Sequence, residues 1–311
     1  MRIISKIAVV IFVLFTTSLF SQDVYEFLRL EDSPRTAAIA GSFVAGSDDP
    51  NVIFYNPAGI GLLQETPVSF SFLKHLADIN SFSLASSMNV EDWGRFGAAI
   101  KYINYGDFTA ADEFGNKTGS FSCSDFAFLL GYSNMLGEGF YYGATVKFIY
   151  SGLENYTSTG LAGDVGLHYV ITDSKWNFGF SVLNIGTQLT NYISTQEDLP
   201  LDMRLGFSKE LAHIPFRFFF SFNRLNDKQD KFFDKFKTFT FGGEFSFSKN
   251  FRARFGYDNQ LRKDLKIGTT AGLSGISIGV GLNVKGYVVD YGLSSWGQIG
   301  SIHRFGLTTA F

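Results

Sequence analysis

The residues that could do chemistry are few and widely spaced. Histidine occurs at His75, His168, His213 and His303, and the only cysteine is Cys123. No two of these stand at metal-ligand spacing, and one cysteine allows no intrachain disulfide. No nucleophile elbow is present, and the glycines lie inside alternating segments rather than between a strand and a helix, so no phosphate-cradling loop is expected. Nothing brings a nucleophile, a base and an orienting group together. The sequence therefore predicts a protein that is not an enzyme and needs no metal or other cofactor.

What remains is a set of charges that recur at every second position of apolar segments: Asp125, Lys147, Asp164, His168, Arg204, Arg217, Glu244, Arg252, Arg254, Asp258, Asp290 and Arg304. Two readings are open. The charges line a passage or hold a mobile plug, or they pair with one another in a lattice that satisfies a wet interior, because buried charge must be paired. A lattice would leave little room for a hydrophobic ligand.

The elements that position these charges are strands. Phe140, Tyr142, Ala144, Val146, Phe148 and Tyr150 alternate with Gly143, Thr145 and Lys147, and side chains along a strand point to opposite faces. Phe216, Phe218, Phe220 and Phe222 oppose Arg217 and Ser221. Phe251, Ala253, Phe255 and Tyr257 oppose Arg252, Arg254, Gly256 and Asp258. A soluble sandwich also alternates, but these segments run about 9 to 12 residues and their apolar face is almost unbroken and aromatic, as in a tilted membrane strand. The expected fold is all-β, a 14-stranded antiparallel transmembrane β-barrel over residues 67–311. Pro67, Pro200 and Pro215 fall at strand starts, where a missing amide donor is tolerated. The segment "LKIGTTAGLS" could add a fifteenth strand, but barrels of this kind close with an even number.

Short connections alternate with long ones, including "GDFTAADEFGNKTGS", "GLENYTSTG", "LNDKQDKFFDKF" and "NQLRKDLKIGTTAGLSG". Short turns on one side and long loops on the other are an outer-membrane asymmetry, and this scheme places both chain ends in the periplasm. Phe232, Phe233, Phe236 and Trp296 fall in the long loops, where aromatics either mark a partner-binding surface or pack over the barrel mouth.

The start of the chain, "MRIISK", an apolar run Ile7–Phe20 and "SQD", reads as a secretory signal peptide over residues 1–21. Its removal takes away Arg2 and Lys6 and no acid, moving the net charge from −3 to −5. No basic excess remains for phosphates, so nucleic acid is not an expected partner. Outer-membrane lipid is. The last strand, with Phe305, Leu307, Thr309 and Phe311 on one face, looks like the terminal signal by which outer-membrane barrels are recognised for assembly. The expected location is the outer membrane of a double-membraned bacterium.

Residues 22–66 fit none of this pattern. They are rich in small residues and turn formers, yet too apolar for a disordered leader, and so read as an N-terminal plug folded into the lumen. In "FYNPAGIG", the turn motif Asn56, Pro57, Ala58 and Gly59 joins plug to barrel: Asn56 and Pro57 fix a turn, while Gly59 and Gly61 permit close backbone approach. The run "PRTAAIAGSFVAGSDDPNVIFYNPAGIG", with "VLNIG", "LPLDMRLGFS", "RARFGYD" and "VVDYGL" downstream, resembles the PorV/PorQ family of the type IX secretion system. More distantly it is similar to the long-chain fatty-acid transporters of the FadL superfamily. The first resemblance implies an outer-membrane component that binds or relays secretion-system proteins, or cargo with a C-terminal sorting domain. The second implies a transporter of hydrophobic small molecules, which would need an apolar pocket and a lateral opening.

Overall fold

The computed structural model describes residues 23–227, 232–266 and 272–310. The signal-peptide segment and Phe311 lie outside the described residues. Fourteen strands form one closed antiparallel barrel. In chain order they are β1 (Pro67–Lys74), β2 (Asn80–Val90), β3 (Gly94–Ala111), β4 (Lys117–Gly137), β5 (Phe140–Leu153), β6 (Tyr156–Ile171) and β7 (Trp176–Thr190), then β8 (Asp202–Glu210), β9 (Phe216–Phe222), β10 (Phe239–Ser246), β11 (Phe251–Asp258), β12 (Ile276–Val284), β13 (Tyr287–Ser295) and β14 (Ser301–Ala310). Each pairs with its sequence neighbours, and β14 closes on β1 from Pro67 opposite Ala310 to Lys74 opposite His303.

Closure follows from the alternation, because every strand has one apolar and one polar or small face and a closed sheet leaves no edge unpaired. Phe70, Leu84, Val146, Phe148, Leu161, Phe255, Val289 and Leu307 are exposed on the outer wall. The inward positions carry Ser, Gly and paired charges together with some large apolar residues, among them Leu73, Leu129, Ile149 and Phe219, the last buried against Phe43 with ring centroids 5.9 Å apart. Among the described residues, no helix is long and apolar enough to cross a membrane.

Several expected loops are different. The segment 106–120 is mostly strand, since β3 and β4 run far beyond their neighbours and meet in a turn at Asp112–Asn116. Phe108 stacks on Phe121 across this hairpin, 5.4 Å between centroids, so cross-strand pairing continues where the sequence looked like loop. The connection 152–160 shrinks to Glu154 and Asn155, with Glu154 left-handed at φ 55°. The long connection after β11 begins with a helix, Asn259–Asp264, capped by Asp258, whose Oδ1 accepts from the amides of Gln260 and Leu261. No fifteenth strand appears among the described residues.

Residues 23–66 thread the lumen. Val24 N donates to Asp198 O at 2.9 Å, which places this end at the long-loop mouth. At the other end the carbonyls of Gln64 and Glu65 accept from Arg95, near the start of β3 on the short-turn side. The two described chain ends therefore lie at opposite ends of the barrel, contrary to the expectation that both are periplasmic. The reason is geometric: a segment that fills the lumen and then enters β1 at the short-turn rim has to begin at the opposite mouth.

Candidate functional site in the plugged lumen

The plug lies on a floor of wall glycines. A β-carbon on Gly143 would come within 2.5 Å of the Pro57–Ala58 peptide, and one on Gly292 within 2.5 Å of Pro34 O. At Gly179, Gly242, Gly256 and Gly279 the clashes are with Val44 O, Ile39, the Ala40 amide and Ala38. Strand interiors normally disfavour glycine, so this track is explained by another backbone pressed onto the sheet.

The "NPAG" turn sits at the short-turn end of this floor. Asn56 is fully buried: its Oδ1 accepts from Ala58 N at 3.1 Å, while its Nδ2 donates to Val44 O and to Leu167 O of the wall. Pro57 opens the 3-10 turn Pro57–Leu62, where a missing amide costs nothing. Gly59 closes against Val52 and Gly46 O, and Gly61 against Ser133. Around it Phe43, Ile53 and Ile60 form a solvent-free plug core.

The inward charges form a lattice, and the plug supplies many of the partners. Arg35 of the plug binds Glu244 (3.1 Å) and Asp48 (3.0 Å); Glu244 also takes Arg254 (2.6 Å), which reaches Asp290. Arg217 binds Asp48 at 2.8 Å, and Lys101 of β3 binds Asp32 at 3.1 Å. Within the wall, Lys147 meets Asp164 at 2.9 Å and Asn184 Oδ1 at 2.7 Å, and Arg204 meets Asp202 at 2.7 Å. Arg252 lies on the same inward face without an ion pair among the described residues, and Asp258 serves as the helix cap. Burial pushes the Asp48 carboxyl up, but Arg217 and Arg35 outweigh it and hold the group well below the usual carboxylate range. Nearer the mouth, burial dominates at Glu31 and raises its carboxyl to about 7 despite Arg204, Lys101 and Arg304.

The remaining titratable groups are dispersed. Asp125 accepts from Tyr105 OH at 2.7 Å and from Ser151. His168 is buried beside Asn177, His75 packs edge-on to Trp296, and His303 meets Tyr291 OH. No group of metal-ligating side chains forms among the described residues.

Two cavities open at the long-loop mouth. One, of about 270 Å³, is lined by Phe27, Leu30, Ile79, Ile103 and Tyr105 with Glu26, Arg29 and His75 at its polar margin. The other, of about 170 Å³, is charged and includes Trp296 in its wall. Of the candidate loop aromatics, Phe233 is 78% exposed, while Phe236 packs against Phe222 with ring centroids 5.2 Å apart. The side chain of Phe232 lies outside the described residues. Sequence reasoning missed Arg35, Asp48, Asp32, Lys101 and Asp202, and with them the fact that the lattice joins plug to wall. Arg35 could have been found, as one of two cations, with Arg29, in a segment otherwise read as apolar.

No family model and no curated relative matches the sequence. Solved structures do match over nearly the whole barrel. The Pseudomonas putida toluene transporter TodX superposes with a TM-score of 0.56 at 12% identity, over 94% of this chain and 98% of that one. The fold is that of the FadL-type barrels. The CymD monoaromatic hydrocarbon channel gives 0.57 at 13% identity over 90% and 97% of the two chains, and a Pseudomonas aeruginosa FadL homologue 0.54 at 11% over 90% and 98%. In the present chain β2, β3 and β4 are paired without a break from Arg95 to Asn104, so no lateral gap exists in that part of the wall.

Proposed function

We propose that this chain is an outer-membrane barrel that receives a small hydrophobic molecule at its outer mouth. The observation that carries the reading is the apolar cavity between the head of the plug and β3, walled by Phe27, Leu30, Ile79 and Ile103. An apolar cavity of ~150 Å³ holds benzene, so about 270 Å³ suits a single-ring hydrocarbon and is small for a long extended chain. The fold shared with hydrocarbon channels supports this reading, and the aromatic, apolar outer wall supports the outer-membrane location. Ile103→Asp puts a charge into the cavity. Toluene titrated into the purified protein is expected to bind, and the variant to lose affinity by at least about tenfold, equivalent to roughly 1.4 kcal/mol. Equal affinity for the two proteins would refute the cavity as the site.

A second reading keeps the barrel as a type IX secretion component that engages protein partners at the surface. It is favoured by the solvent-free plug core, which is seated backbone-to-backbone on the wall, and by the exposed aromatic Phe233. In this reading the lumen is a scaffold and the loops do the work.

A further inference from the structure

The charged mouth cavity is walled by Arg29, Arg204, Arg224 and Arg304 together with Glu31, Asp202 and Asp258. Most of these groups are already committed. Arg29 is bound to Asp23 and Glu26, and Arg204 to Asp202. Asp258 caps its helix.

Three groups are left. Arg304 is 4% exposed, and among the described residues no carboxylate lies within ion-pair distance of it; its bonds are to Glu31 O and Ser294 Oγ. The Arg224 guanidinium makes no hydrogen bond or ion pair among the described residues, its backbone amide alone being bonded, to Asp202, although it lies within electrostatic reach of Glu26, Asp227 and Asp258. Glu31 Oε2 is buried and accepts no hydrogen bond. Two guanidinium groups thus have no carboxylate in direct contact among the described residues and one carboxylate oxygen lacks a donor, all around one space of about 170 Å³, room for a few waters at roughly 30 Å³ each or for one small oxyanion. Burying such groups unpaired is costly, and a guanidinium fork matches phosphate geometry.

We propose that this cavity binds a phosphate group, an oxyanion that also carries an O–H: its oxygens accept from Arg304 and Arg224 while its hydroxyl donates to Glu31. Sulfate tests the donor requirement, because at mildly alkaline pH it has the shape and charge of hydrogen phosphate but no proton to give. This proposal rests on neither functional reading above.

The experiment is calorimetric titration of the detergent-solubilised full chain with inorganic phosphate, sulfate and glycerol phosphate. Phosphate is expected to bind, and sulfate about tenfold more weakly or not at all. Glu31→Gln, which can donate to sulfate, is expected to remove the discrimination, and Arg304→Gln to abolish binding. Because Arg304 is buried and its loss could disturb folding, Arg224→Gln is the second probe; its guanidinium makes no hydrogen bond or ion pair among the described residues, and its loss is expected to weaken phosphate about tenfold. Binding of glycerol phosphate as tightly as free phosphate would identify a phosphate carried on a larger molecule; binding of free phosphate alone would identify the ion. Absence of phosphate binding, equal binding of sulfate by the unaltered protein, or full affinity in Arg224→Gln would overturn the proposal.

Discussion

Glu244→Leu is expected to release the short-turn half of the plug while leaving the barrel closed. Glu244 is the shared anion of Arg35 and Arg254, at 3.1 and 2.6 Å, and all three are buried. Removing it leaves two guanidinium groups close together in a poorly solvated lumen, with Asp48, Asp49 and Asp290 as their remaining partners. Breaking a buried pair in this one-sided way costs about 3–5 kcal/mol, which is comparable to the whole stability of a short packed segment. Hydrogen exchange in detergent reads the effect: amides of residues 34–48 should lose protection by several hundred-fold while those of the strands keep theirs. Unchanged protection of the plug would mean that the lattice is incidental to its seating.

A larger and sharper effect is expected from Gly179→Val. Valine suits a strand, so the wall itself should tolerate it. The new side chain, however, would occupy the space of Val44 O and the Ala45 amide, and backbone atoms cannot move aside as a side-chain tip can. The plug must lift there, and with it the Val44 O acceptor of Asn56. In a planar bilayer the unaltered protein is expected to pass little ion current and the variant to conduct. A silent variant with an intact barrel would show that the plug seals the lumen by other contacts.

The two predictions differ in what the sequence could disclose. Period-two alternation in Phe140–Tyr150 and Phe251–Asp258 reveals strands because one face meets lipid and the other does not, and a barrel is the way such strands close. The same rule put Lys147, Arg204, Glu244 and Arg254 on the inward face. It could not give their partners, because Arg35, Asp48 and Asp32 lie in a segment with no period, whose path through the lumen depends on packing with residues far away in the chain, from Lys101 to Glu244. The glycines show the same limit. The alternation puts Gly279 inside a strand, but what presses on it, Ala38, is a tertiary fact. Hairpin length is hidden for a local reason: β3 and β4 pair on beyond the wall, where Phe108 and Phe121 stand among polar and small residues and no sustained apolar alternation marks the strand. The mouth cavity was not legible either, since Phe27 and Ile103 approach each other only once the plug is threaded.

Uptake and secretion in a strain lacking this protein test the central claim most directly. With toluene-sized hydrocarbon supplied outside, the deletion is expected to slow its entry, the unaltered protein to restore it, and Ile103→Asp to fail, while proteins bearing C-terminal sorting domains still reach the surface. Normal hydrocarbon entry in the deletion strain, together with retention of those secreted proteins, would contradict the account and assign the barrel to secretion.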